Sequence, residues 1–379
     1  MESDNKLFLL DAYALIYRAY YAFIKNPRIN SKGFNTSAIL GFVNTLEEVL
    51  KKENPSHIGV AFDPSGPTFR HEAFEQYKAQ REETPEAIRL SVPIIKDIIH
   101  AYRIPILEVA GYEADDVIGT LATEAGRQGI TTYMMTPDKD YGQLVTDNVF
   151  MYRPKHTGGF EVMGIEEVKA KFDIQSPAQV IDMLGLMGDA SDNIPGCPGV
   201  GEKTAQKLIA EFGSIENLLE HTDQLKGALK TKVETNKELI TFSKFLATIK
   251  IDVPIQLEMD KLIREQADED SLRQIFEELE FRTLIDRVLK KENSAGGVTM
   301  ATGSKTTTAK SAPSPLPLFP EEGGAIQGDL FANFTGNDAG EAKKSNLETL
   351  ETLNCDYQLI DTEKKRTEII QKLLTSKIL

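Results

Sequence analysis

The chain has 379 residues, 41% hydrophobic and 27% charged, with 58 acidic against 43 basic side chains and a formal net charge of −15. That composition supports one large or two ordinary hydrophobic cores and excludes wholesale disorder and collagen-like repeats. No run approaches the ~18 apolar residues of a membrane span, and Asp11 interrupts the apolar run 7–10 before it could act as a signal-peptide core.

Short apolar runs alternate with helical patterns along the first half of the chain. Strands are expected at residues 6–10, 56–62, 104–109 and 131–136, and helices at 36–53, at 86–101 and from Glu113 onward. Repeated strand and helix at this spacing predicts an α/β fold, a mostly parallel sheet flanked by helices. From about Ser176 the strand signals stop, and residues up to 290 read as mainly helical. Residues 293–346 are more than half Gly, Pro, Ser, Thr and Ala and read as a flexible, disordered linker. Beyond it a strand at 357–360 and a helix at 362–375 are too short for an independent core and read as a second domain cut short. Cys197 and Cys355 lie far apart in zones of different composition, so a disulfide framework is not expected and a reducing, cytoplasmic home is.

A net charge of −15 argues against a nucleic-acid binder that works by bulk positive charge, unless the acids are concentrated in one place. The expected strands end in Asp11, in Asp63, and in Asp138 with Asp140; in a parallel sheet these ends share one edge, where such folds place ligands. The remaining strand, at 104–109, leads into a helix opening with Glu113, Asp115 and Asp116, of which Glu113 and Asp116 share a face. Asp189 and Asp192 lie three apart in a turn-rich stretch, GDASDNIPG. Setting these nine acids aside takes the formal net from −15 to −6, and so many carboxylates cannot all stay ionised together without cations. Oxygen ligands without His or Cys suit Mg²⁺ or Mn²⁺, and a pair of such ions suits in-line displacement at a phosphodiester.

Two further segments could hold a polymer. Gly196, Gly199 and Gly201 precede a helix carrying Lys203 and Lys207, a helix-hairpin-helix type of grip in which backbone amides approach a phosphate. Between Asp63 and Glu86, Arg70, Lys78 and Arg81 stand among Phe69, Phe74 and Tyr77; a helix would put Lys78 and Arg81 on one face as a phosphate clamp, with aromatics for base stacking. The acids of that segment, Glu72, Glu75, Glu82 and Glu83, equally fit a solvated amphipathic helix.

The runs FDPSGPTFRHEAFEQYKAQR, GYEADD, TPDKD and GDASDNIPGCPGVGEKTA together resemble the flap-endonuclease family with its PIN-like core, in the form of the 5′-nuclease domain of bacterial DNA polymerase I. The resemblance covers roughly residues 5–290. It implies a PIN-like core over 1–175 with a helical arch at about 64–90, and a DNA-binding subdomain with a helix-three-turn-helix over 176–292. One metal group would be served by Asp11, Asp63, Glu113, Asp115 and Asp116, and another by Asp138, Asp140, Asp189 and Asp192. Lys78 and Arg81 would steer the scissile phosphate, with Arg70 as a supporting contact and Tyr77 among the DNA-binding residues. The glycine turn would grip duplex and hold a K⁺ ion.

The implied activity is Mg²⁺-dependent cleavage, with Mn²⁺ as substitute, near the junction of duplex and a displaced 5′ strand, at flaps, nicks and RNA primers. The residues after the linker resemble the opening of a proofreading domain without its catalytic carboxylates, so neither proofreading nor synthesis is expected. Gln327, Leu330 and Phe331 (QGDLF) resemble peptides that dock on the sliding clamp. A monomer in the cytoplasm, associated with the nucleoid and not with membrane, is the expected state. Two other readings use parts of the pattern: an Asp-x-Asp phosphatase built on Asp138 and Asp140, and a flap-DNA binding module without catalysis.

Overall fold

The computed structural model describes residues 5–155 and 158–289. The expected linker, the strand and helix after it, and the clamp-like Gln327, Leu330 and Phe331 lie outside the described residues.

Six strands form one sheet: β1 (Lys6–Asp11), β2 (His57–Ala61), β3 (Ile106–Leu107), β4 (Thr131–Met135), β5 (Val149–Pro154) and β6 (Phe160–Met163), in the order β3-β2-β1-β4-β5-β6. The first five run parallel, and β6 turns back antiparallel on β5. Side chains alternate across the sheet, so the apolar run of β1 is shared between two cores. Phe8 and Leu10, with Ile58 and Val60 of β2, enter one; Leu7 and Leu9, with Ala61, enter the other. All seven are completely buried, and each large member contributes about 1.5–3 kcal/mol.

The first core is covered by α1 (Ala12–Ala22), α2 (Ser37–Lys52) and α4 (Glu86–Ala101); a short α3 (Phe69–Ala73) precedes α4. The second is covered by α5 (Ala114–Arg127) and α6 (Ile165–Phe172), then by α7 (Val180–Met187), α8 (Glu202–Phe212), α9 (Ile215–Glu220), α10 (Gly227–Thr235), α11 (Lys237–Ala247) and α12 (Met259–Leu262). The chain then returns to the first face, where α13 (Glu269–Glu278) and α14 (Arg282–Val288) pack near α4, and the Asp268 amide donates to the Ala101 carbonyl at 2.7 Å.

The parallel sheet flanked by helices, followed by a helical part, is therefore as expected. Three details differ. The strand expected at 104–109 is paired only at Ile106–Leu107, and β5 and β6 were not anticipated. The segment after α3 is a run of turns and not a helix. Among the described residues, no helix is long and apolar enough to cross a membrane.

Candidate metal centre and nucleic-acid interface

Because β1, β2 and β4 are parallel, their carboxyl ends reach one edge. Asp11 closes β1: its Oδ1 accepts the Ala14 amide at 3.1 Å and caps α1, while Oδ2 accepts the hydroxyls of Thr136 (3.2 Å) and Tyr141 (3.1 Å). Burial, then the charges of Asp63 and Asp138, push the Asp11 carboxyl up to about 7. Asp63, two residues past β2, accepts the Ala114 amide at 2.8 Å and so faces the positive end of α5.

The first turn of α5 carries Glu113, Asp115 and Asp116, each offering an oxygen within 4.8 Å of the others. Asp116 is wholly buried, and each of its oxygens accepts two hydrogen bonds. Oδ1 takes Arg70 Nη2 and the Lys250 amide, both at 2.8 Å; Oδ2 takes Arg70 Nη1 (2.8 Å) and the Glu113 amide (3.1 Å). Arg70 also donates to Glu113 Oε2 (3.0 Å) and to the carbonyls of Leu246 (2.9 Å) and Thr248 (2.8 Å). The expectation that Arg70 supports a phosphate is corrected here: it is 1% exposed, and its guanidinium ties α3, α5 and the end of α11 together.

The second group gathers beside the first. Asp138 and Asp140 flank Lys139 after β4; Asp189 and Asp192 sit in a loop closed by paired backbone bonds between Asp189 and Ile194 (2.9 and 2.8 Å). Lys139 Nζ reaches Asp189 Oδ2 at 3.0 Å, and the Ser191 amide and hydroxyl both donate to Asp189 Oδ1. Burial and then the charges of Asp138 and Asp189 raise the Asp140 carboxyl well above its usual range. Burial and then Asp116 do the same to Asp115.

Among the described residues, two buried side-chain oxygens have no hydrogen-bond partner: Asp115 Oδ1 and Asp140 Oδ1. Such orphans are costly unless a ligand completes them. One falls in each group. An all-carboxylate set with an orphaned oxygen on either side fits two hard divalent cations.

The segment after α3 lies across this cleft. Lys78 Nζ is 2.8 Å from Glu113 Oε1 and 3.7 Å from Asp192 Oδ2; Arg81 Nη2 is 2.5 Å from Asp192 Oδ1. Burial opposes ionisation of Glu113, but Lys78 and Arg70 outweigh it and lower its pKa; for Asp192, Lys78 and Arg81 outweigh burial in the same way. The two cations thus converge on the acids, though from turns and not from a helix. Tyr77 is corrected as a stacking residue: it is 3% exposed, and the single proton of its hydroxyl is shared between Glu113 Oε2 (3.0 Å) and Asp192 Oδ2 (3.2 Å).

In the glycine turn, Gly196 has φ +61°, its amide donates to Ser243 Oγ, and a Cβ there would lie 2.3 Å from the Gly188 nitrogen. It serves close packing; its amide does not face a phosphate, contrary to expectation. Gly199 has φ +77° with Lys232 beside it, and its carbonyl accepts Lys232 Nζ at 3.1 Å. Gly201 is the N-cap of α8, whose exposed Lys203 and Lys207 share a face. Sequence reasoning missed Thr136, Tyr141, Lys139 and Ser191, which hold the acids. Only Lys139, between two of them, carried a local signal.

The 5′-3′ exonuclease N-terminal resolvase-like domain matches residues 6–173, and the 5′-3′ exonuclease C-terminal SAM fold matches residues 175–270. This chain belongs to the 5′-3′ exonuclease family. It is 40% identical over 287 residues to a DNA polymerase I of Bacillus caldotenax, covering 75% of this chain and 32% of the relative. It is 43% identical over 291 residues to that of Bacillus subtilis (strain 168), covering 76% and 33%. The chain thus spans about a third of the length of the curated relatives it matches.

Two solved structures share the fold. The bacteriophage T5 5′-exonuclease with bound divalent metal ions (zinc) matches with TM-score 0.54 at 21% identity, over 73% of this chain and 99% of that one. The catalytic core of Rad2 in complex with DNA substrate matches with TM-score 0.50 at 17% identity, over 73% and 88%.

Proposed function

We propose that the chain is a divalent-metal-dependent 5′ nuclease that cuts phosphodiester bonds near the junction of duplex and a displaced 5′ strand. RNA primers and repair flaps are the substrates, and the chain acts as the N-terminal part of a DNA polymerase I. The observation that carries this reading is the gathering of Glu113, Asp115 and Asp116 within 4.8 Å of one another, with Asp11, Asp63, Asp138, Asp140, Asp189 and Asp192 close enough to act on one another electrostatically and a buried oxygen left without a partner on Asp115 and on Asp140.

Two Mg²⁺ ions, with Mn²⁺ as substitute, would be held, some of the acids acting through water, by Asp11, Asp63, Glu113, Asp115 and Asp116 on one side and by Asp138, Asp140, Asp189 and Asp192 on the other. When bound they supply an activated water and offset charge on the leaving oxygen. Asp116 also fixes, through Arg70, the turn that presents Glu113 and Asp115. Lys78 and Arg81 orient the scissile phosphate and stabilise its developing charge. Lys203 and Lys207, behind Gly199 and Gly201, hold the duplex backbone, with K⁺ at the turn. Gln327, Leu330 and Phe331 dock on the sliding clamp; Leu330→Ala with Phe331→Ala removes clamp capture. The protein works as a cytoplasmic monomer at the nucleoid.

A labelled 5′-flap duplex incubated with Mg²⁺ or with EDTA tests the reading. Cleavage only with metal is expected. Retention of the flap without cleavage under either condition would make the chain a binding module, and phosphate release from a small ester in place of flap cutting would make it a phosphatase.

A further inference from the structure

We infer that residues 76–81 form a strap whose cations occupy Glu113 and Asp192, and that it must lift off them before metals take the same oxygens. The inference rests on the metal reading above and adds an order of events to it.

The strap is fastened by its backbone as well as its charges. The Lys78 amide donates to the Asp192 carbonyl (3.0 Å), Gln80 Nε2 to the Ala190 carbonyl (2.5 Å), Arg81 Nε to the Ser191 carbonyl (3.2 Å), and Asn193 Nδ2 back to the Gln76 carbonyl (2.7 Å). Lys78 itself has φ +56°, a left-handed conformation that a lysine adopts only when surrounding contacts hold it. The strap is thus zipped along residues 190–193, and the zipper sets where its cations land.

They land on one acid of each group. Both Glu113 oxygens are engaged, Oε1 by Lys78 and Oε2 by Arg70 and Tyr77; both Asp192 oxygens are engaged too, Oδ1 by Arg81 and Oδ2 by Tyr77 with Lys78 near. Carboxylates crowded this closely take up either protons or positive charge. At Glu113 and Asp192 Lys78 and Arg81 supply the positive charge. Arriving metals compete for the same oxygens, and the displaced ammonium and guanidinium are then released toward a phosphate. The same two cations would serve both states by moving.

Removing Lys78 would raise cation affinity through charge alone, so the decisive variant is uncharged. Gln80 is exposed, touches no acid and lies outside the chemistry; Gln80→Ala weakens the zipper and leaves the net charge unchanged. Mn²⁺ titrated into the full chain by calorimetry should bind Gln80→Ala about fivefold more tightly than the unaltered chain, the equivalent of one net hydrogen bond. Tryptic cleavage after Lys78 and Arg81 should accelerate when Mn²⁺ is added to the unaltered chain, and should not accelerate in Asp63→Asn. Equal Mn²⁺ affinity for the two chains, or a cleavage rate indifferent to Mn²⁺, would overturn the strap and leave the metal reading standing. No Mn²⁺ binding by the unaltered chain would overturn both.

Discussion

Two arginine–carboxylate pairs in this molecule use the same chemistry in opposite settings. Arg70 meets Asp116 across two parallel hydrogen bonds of 2.8 Å, with the arginine 1% exposed and the aspartate fully buried. Arg81 meets Asp192 at the mouth of the cleft, where their side chains are 38% and 17% exposed. In the first, two backbone carbonyls and a second carboxylate complete the guanidinium, so nothing is left over for a ligand. In the second, water can replace either partner. A saturated, dry pair is part of the frame, whereas a wet pair is a contact that can be exchanged.

The largest expected effect tests the dry pair. Arg70→Ala leaves Asp116 and Glu113 buried without their counter-charge and should cost about 3–5 kcal/mol of stability. Arg81→Ala should cost about 1 kcal/mol or less, as exposed pairs do. Thermal or urea unfolding of the two variants reads the contrast, and equal losses would erase it. Asp63→Asn comes next: it keeps most of the contact with the Ala114 amide but loses a metal-side charge. Flap cleavage should fall about a hundredfold or more with little change in melting temperature.

A smaller effect concerns pH. Asp11 has a pKa raised from 3.8 to about 7, so the fold favours its protonated form. Its stabilising contribution is fully present below the unfolded value and is lost as pH rises through about 7. The metal-free protein should therefore lose melting temperature progressively as pH rises from about 4 to about 7, with little further loss above that, and Mg²⁺ should restore more of it at the upper end. Asp11→Asn should flatten that slope; an unchanged slope would place its cause elsewhere. The smallest effect is at the duplex grip, where Lys203→Ala or Lys207→Ala should each reduce the salt dependence of duplex binding by about one unit of slope.

The acids of the sheet edge were legible because parallel strands announce their ends: Asp11, Asp63 and Asp138 each follow an apolar run, and the geometry of the sheet does the rest. β5 was missed because the crossover from β4 holds only a 3₁₀ turn at Lys139–Leu144, not the helical pattern that marks such a unit. Arg70 was misread because its partners at Leu246 and Thr248 lie 176 and 178 residues away, and no local pattern announces carbonyls arriving from a distant helix end. The arch was expected as a helix from the spacing of Lys78 and Arg81 and from the family resemblance. Its bonds to residues 190–193 override that local preference and turn Tyr77 inward.

Gly188 and Gly196 touch backbone to backbone, and a methyl group at either would lie 2.5 Å or less from the main chain opposite. That seam fixes the loop of Asp189 and Asp192 to the turn that leads into Lys203 and Lys207. Half of the acidic pocket and the lysine-bearing helix are therefore one casting. If that helix seats on phosphates as proposed, the same movement sets the aim of two carboxylates, so docking and a competent pocket would arrive together.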